Sequence, residues 1–331
     1  MKRTSERRVE YPFRYRRPPP SGNVINGLSE RNHRRAVPVF HAVGRQPIAW
    51  GALQRLYHTT TSFAELRAVF RAYWEYRRAV GPVARKRTLG TDPAEATSLV
   101  KQMARDSGSA LVGVTRLDSA FLYEGLAPRY EYAVCVARPM ELNELRTAPS
   151  ERAALAVLRG YHDVTRVAND LAQAIRELGW AAEAAAGLDS QEVLHIPLAI
   201  SAGLGQLGKH GSLMSREHGP NIRLAAVMTD LPLVPDAPVE IAVDDACTRC
   251  HRCEQACPVD AIGSEKQTVR GERKWYVDFD RCAPYFVGAN SCGFCLAVCP
   301  WSKPGVGRRI SERLLARRNE TREGADSCEP S

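Results

Sequence analysis

Cys247-Thr-Arg-Cys250-His-Arg-Cys253-Glu-Gln-Ala-Cys257-Pro258 is the stretch on which the reading of this chain turns. Downstream it is answered by Cys282 and by Cys292-Gly-Phe-Cys295-Leu-Ala-Val-Cys299-Pro300. Eight of the ten cysteines thus fall within 53 residues. Thiolates at this spacing wrap three corners of an iron–sulfur cubane in one tight loop, and the fourth ligand must come from elsewhere. In two-cluster ferredoxins the cysteine before proline ligates the other cluster. The spacing therefore predicts two [4Fe–4S] clusters, one on Cys247, Cys250, Cys253 and Cys299, the other on Cys257, Cys282, Cys292 and Cys295. Zinc ribbons use pairs of C-x2-C rather than a run closing on x3-C-P. Disulfides do not suit a chain read as cytosolic. Cys135, in an apolar run, reads as a core residue. Cys328, in a polar tail, reads as a free thiol. His251 lies inside the first block, where four thiols already satisfy each cluster, so its expected role is to tune potential.

The rest of the composition is that of an ordinary globular chain. Its 331 residues suggest about two domains, with 44% hydrophobic and 25% charged residues. No stretch approaches the roughly 20 apolar residues of a membrane helix. The start, MKRTSERRVEYPFRYRRPPP, is basic without an apolar h-region, which predicts a cytoplasmic location and no membrane span. Charge is uneven. Residues 1–90 carry 19 Lys/Arg against 5 Asp/Glu, a net of +14, and the remainder carries a net of −5. A basic arm on a mildly acidic body suits nucleic acid or an acidic electron donor, or is a solvated extension.

Four segments follow: a basic, partly disordered N-terminal extension (1–91), a core (92–240), a ferredoxin-like dicluster module (241–304) and a basic C-terminal tail (305–331). Within the extension a helix is expected near 63–80, where Leu66, Val69, Phe70 and Trp74 recur at helical spacing. Asp92-Pro93-Ala94-Glu95 is a helix start. Residues 110–114, 132–137 and 222–230 read as strands, and 151–178 as a long helix stopped by Gly179. The fold class expected is α/β (α+β), a mixed-sheet core with helices. Gly203-Leu-Gly205-Gln-Leu-Gly208 matches G-x-G-x-x-G. An apolar helical segment precedes it, and Lys209-His210-Gly211 is a poor helix start, which disfavours a dinucleotide site. A tight turn approaching another flat cofactor fits better.

Ile196–Leu233, IPLAISAGLGQLGKHGSLMSREHGPNIRLAAVMTDLPL, resembles the corresponding stretch of the corrinoid-dependent reductive dehalogenases. Similar too are Ser107–Asp118, Tyr130–Glu141, Arg159–Trp180 and the short second cysteine block. The resemblance covers roughly residues 92–304. It implies base-off cobalamin held near Gly203, Gly205, Gly208, Lys209 and His210, and electrons relayed through both clusters from a reduced ferredoxin, flavodoxin or reductase. The implied reaction replaces carbon–halogen by carbon–hydrogen in a small organohalide, which needs two electrons and one proton. Tyr161, assisted by Arg223, matches the family's proton donor, since a nearby guanidinium eases loss of the phenol proton. By pattern alone Tyr161 shares a helical stripe with Val164, Ala168, Leu171, Ile175 and Leu178 and reads equally as core. Arg223 reads equally as an exposed sheet residue or a salt-bridge partner.

A second resemblance is to epoxyqueuosine reductase, a related cobalamin and two-cluster enzyme that acts on tRNA. It carries an Asp-Ser pair at the position of Asp189-Ser190, and its aspartate donates the proton. Asp189 is also a plausible turn residue. The short gap between Cys282 and Cys292 and the GPNIRLAAV segment favour the dehalogenase side. A third reading is an iron–sulfur electron-transfer protein with no substrate of its own.

Overall fold

The computed structural model describes residues 20–40, 49–51, 53, 62–76, 78–90, 92–186, 192–289 and 292–326. Part of the basic N-terminal stretch is folded onto the cysteine-rich end of the chain. Ser21 caps helix α1 (Gly22–Ile25), and Asn23 donates to Asp278 Oδ1 at 2.9 Å while its Oδ1 accepts from the Phe279 amide and the Tyr276 hydroxyl, each at 2.8 Å. Trp50 and Leu53, both fully buried, join Val39, Ala283 and Val287 in one apolar cluster. Helix α2 (Phe63–Tyr76) starts on a reciprocal capping box. The Glu65 amide donates to Ser62 Oγ at 3.2 Å, and the Ser62 amide donates to Glu65 Oε2 at 3.1 Å. Glu65 is buried, while Phe63, Leu66, Phe70 and Trp74 face outward. The apolar spacing that marks this helix is thus not its buried side.

Asp92 caps α3 (Pro93–Asp106), its carboxylate accepting from the Ala94 amide at 3.0 Å. The chain then lays down β1 (Leu111–Arg116), β2 (Tyr132–Pro139), the short helix α4 (Leu142–Leu145) and the long helix α5 (Glu151–Glu177). Ser150 caps α5, and Gly179, at φ +88°, ends it. Strand β3 (Ala182–Ala185), helix α6 (His195–Ser201), the small hairpin β4 (Gln206–Leu207) and β5 (Leu213–Met214), and β6 (Ile222–Thr229) complete the core. The sheet order is β1-β2-β6-β3. All three pairings are antiparallel, so the strands are not mixed in direction. Among the described residues no βαβ crossover returns a strand parallel to its neighbour.

Alternation along the strands splits the core in two. Val134, Val136, Ala225 and Val227 pack under α5 with Val164, Val167, Leu171 and Ile175. Ala133, Cys135, Ala226 and Met228 pack on the other face with Leu198 and Ala199 of α6. Burial drives the Cys135 thiol pKa up, as expected of a core cysteine.

The cysteine-rich part follows. It contains α7 (Val243–Arg249), α8 (Arg252–Ala256), the hairpin β7 (Gln267–Val269) and β8 (Glu272–Lys274), α9 (Phe279–Gly288) and α10 (Phe294–Ala297). The polar tail forms α11 (Val306–Asp326), held back against α7 by Arg318, which lies 2.5 Å from Asp245 and 3.5 Å from Glu240. No helix among the described residues is long and apolar enough to cross a membrane.

Candidate iron–sulfur and reductase site

The thiols fall into two interleaved sets. Cys247, Cys250, Cys253 and Cys299 line one cavity of about 380 Å³, and Cys299 feels the charges of the other three. Cys295 feels Cys282, Cys292 and Cys257, and Cys282 feels Cys292 and Cys257. Each set draws one member from the other set's block of sequence. Helix α8 explains the crossing: Cys253 lies inside it and Cys257 caps its far end, so the two sulfurs leave it in different places. Cys295 is also within electrostatic reach of Cys253, which puts the two sets side by side. Among the described residues no three His, Cys, Asp or Glu side chains close on a single metal ion. Thiols spread around a cavity instead suit a polynuclear cluster.

Burial dominates the chemistry of these thiols. It pushes Cys253 up to about 11 and Cys282 and Cys299 to about 12. Cluster assembly on these thiols would therefore displace their protons. Backbone amides point at several of the sulfurs: Lys209 N–H to Cys247 Sγ at 3.5 Å, Ala261 N–H to Cys257 Sγ at 3.2 Å, and the amides of Gly293 and Phe294 at Cys292 and of Trp301 at Cys299.

The glycine-rich turn packs against its own chain. A Cβ at Gly203 would stand 2.6 Å from the Ala237 carbonyl, and one at Gly205 would stand 2.1 Å from the Met214 carbonyl. A Cβ at Gly208 would stand 2.7 Å from Met214 Cγ. The turn delivers Lys209 and His210 to the rim of the first thiol cavity. Lys209 is 1% exposed and forms an ion pair with Glu254, itself 7% exposed. Its ammonium also donates to the Cys250 carbonyl at 3.0 Å and lies 4.9 Å from the Trp275 ring centroid. Burial alone would raise the Glu254 carboxyl, but Lys209 and His251 donate to it and hold it below its ordinary value. Desolvation lowers His210 to about 4, so it is neutral near pH 7. Sequence spacing did not single out Glu254 or Trp275. The one available signal was a carboxylate placed between cluster-spaced cysteines, where an uncompensated charge would be costly.

Removing one partner of such a pair strands the other charge. Lys209→Met is expected to destabilise the chain by about 3–5 kcal/mol. The double variant Lys209→Met/Glu254→Leu should recover most of that loss in denaturant unfolding. A loss under about 1 kcal/mol would remove the pair from the account.

Tyr161 and Arg223 come together. The Arg223 guanidinium stacks over the Tyr161 ring, 4.5 Å from its centroid. Tyr161 is half-buried, one turn before the stripe of α5 becomes fully buried at Val164 and Val167. Arg223 faces Arg138 across the β2–β6 ladder, on the sheet side that α5 covers. Gly160 makes room: Arg223 Cγ and Met140 Cγ each lie 3.0 Å from where its Cβ would stand. Met140 in turn borders a cavity of about 770 Å³ between the end of β2, α4, residues 217–221 and residues 302–305. Its polar lining includes Asn143, Arg146, His218, Asn221 and Lys303. Asn221 Oδ1 and Arg223 Nε are buried without a hydrogen-bond partner. Asp189, Ser190 and Cys328 lie outside the described residues.

The 4Fe-4S dicluster domain family matches residues 246–303. A tetrachloroethene reductive dehalogenase of Desulfitobacterium hafniense is 34% identical over 194 residues, 55% of this chain and 34% of that protein. An epoxyqueuosine reductase of Aliivibrio fischeri is 29% identical over 170 residues, 45% of this chain and 41% of that protein. The solved catabolic reductive dehalogenase NpRdhA, in complex with 3-bromo-4-hydroxybenzoic acid, has the same fold. Its TM-score is 0.71 at 21% identity, over 85% of this chain and 46% of that one. The matches span between about a third and a half of these relatives. The chain is thus similar to reductive dehalogenases over more than half of its length and to epoxyqueuosine reductases over a shorter stretch, and its cysteine-rich part matches the 4Fe-4S dicluster domain.

Proposed function

We propose that this chain is a corrinoid- and iron–sulfur-dependent reductase that replaces carbon–halogen by carbon–hydrogen in a small organohalide. The observation that carries this reading is the Arg223 guanidinium stacked on Tyr161, with Met140 standing between this pair and a cavity with polar lining. The two thiol sets would each hold a [4Fe–4S] cluster, which would supply one-electron transfer chemistry.

The residues around the cavity fit a large amide-bearing cofactor. Asn143, Arg146, His218, Asn221 and Lys303 supply donors and acceptors, and Asn221 Oδ1 is an orphaned acceptor inside. They, rather than the self-packed glycine turn, would hold the corrinoid. Once bound, a corrinoid supplies two-electron chemistry at cobalt. Tyr161 then delivers the proton from its hydroxyl to the carbon that loses halide. Arg223, fixed over the ring face, offsets the negative charge left on the phenolate. The apolar packing of Val164 and Val167 behind Tyr161 fixes its backbone and limits its movement.

Chloride or bromide release from a panel of haloaromatics and haloalkenes tests the reading, using protein reconstituted anaerobically with iron, sulfide and cobalamin. Halide release that requires both cofactors supports it. A deletion strain whose tRNA lacks queuosine would favour the tRNA-modifying reading, with Asp189 as the proton donor. Clusters without corrinoid affinity would leave an electron-transfer protein.

A further inference from the structure

We infer that the face formed by α7, α8 and α11 is the docking surface for an acidic one-electron carrier protein, which reduces the cluster of the first thiol set. The inference rests on reading those thiols as cluster ligands.

Four arginines, Arg249, Arg252, Arg313 and Arg317, line the cavity of Cys247, Cys250, Cys253 and Cys299, largely through their aliphatic stems. All four residues are exposed. Arg249 and Arg252 flank the first thiols in sequence. Arg313 and Arg317 stand one turn apart on α11 and so share a face. None of the four has an ion-pair partner within 4.0 Å among the described residues, although Arg249 is close enough to lower the Asp245 carboxyl pKa. Asp245 is the single acid among the described residues lining this cavity, and Arg318 already pairs with it. Ile310 and Leu314 give the cavity an apolar wall beneath the charges.

This is the anatomy of a redox docking site: a rim of one sign around the apolar cover that Ile310 and Leu314 lay over the cluster cavity, with the electron acceptor directly underneath. Four unpaired cations beside one neutralised acid select a partner of opposite charge. They also accelerate the encounter by electrostatic steering. The second thiol set lies on the other side, where Gly293 approaches Ala148 in the connection between α4 and α5. Electrons would enter at the α11 face, cross where Cys253 and Cys295 adjoin, and leave toward Tyr161. Each encounter oxidises one donor by one electron and reduces one cluster by one electron. No bond is made or broken, and two encounters serve one turnover.

The test is stopped-flow reduction of the reconstituted full chain by a reduced, strongly acidic [2Fe–2S] ferredoxin, followed by bleaching of the clusters. For the wild type the second-order rate constant should fall steeply as salt is raised. In Arg313→Glu/Arg317→Glu it should drop at least about tenfold at low salt and lose its salt dependence. Arg105→Glu, exposed at the end of α3, should behave as the wild type. Photoreduced deazaflavin, small and without a docking requirement, should reduce all three equally. A salt-independent wild-type rate overturns the inference, as does a double variant that matches wild type with ferredoxin. Absence of iron from the reconstituted wild type overturns the cluster reading itself, which separates the two failures.

Discussion

Cys257→Ser is expected to strip iron from the second thiol set and spare the first, although Cys257 belongs to the first block of sequence. Its electrostatic neighbours are Cys282 and Cys295, from the second block. The purified variant should retain about four of about eight iron atoms per chain. Its reduced spectrum should show one isolated paramagnetic cluster in place of two interacting ones. Cys299→Ser should produce the mirror result, with the first cluster lost. Loss of both clusters to the same extent in the two variants would contradict the interleaved pairing, as would loss of the first cluster from Cys257→Ser. The expected effect is large because each cubane holds four thiols whose burial otherwise favours the protonated form.

Tyr161→Phe is expected to lower reductive turnover by about 10²–10⁴-fold while leaving cluster content and corrinoid affinity unchanged. Phenylalanine keeps the ring that Arg223 covers and removes the hydroxyl alone. Turnover with a chemical reductant isolates this step from electron delivery. Arg223→Met should cost less, because a methionine fills the space over the ring but leaves the phenolate uncompensated. A Tyr161→Phe variant within about tenfold of wild type would return Tyr161 to the core role that its helical stripe also allowed.

Legibility in the sequence followed the chemistry of each feature. The thiols were readable because cluster ligation imposes a fixed local spacing that nothing else uses. Helix α5 was readable over 151–178, because period and stop agree over many turns, whereas its cap, Ser150, was not singled out. Strand β3 was not: Ala182-Glu-Ala-Ala185 has weak strand propensity, and it pairs only because β6 offers it a partner edge. The direction of the strands escaped for a related reason, since apolar runs specify burial but not pairing direction. Helix α2 was expected from Leu66, Phe70 and Trp74, yet the capping box of Ser62 and Glu65 sets its start and its apolar residues face out. At the candidate site, Tyr161 and Arg223 lie 62 positions apart and meet only through the β2–β6 ladder and the gap left by Gly160. The glycine motif suggested a cofactor cradle, whereas its close approaches are to Met214 and Ala237. Positive φ and crowding explain Gly203 and Gly205 without a ligand.

Metal and cofactor analysis of anaerobically reconstituted protein should find about eight iron atoms and about one cobalt per chain, with the cobalt lost to gel filtration far more readily from an Asn221→Leu/Lys303→Ala variant than from wild type. About four iron atoms, zinc in place of iron, or no retained cobalt in the wild type would contradict the two-cluster corrinoid reading.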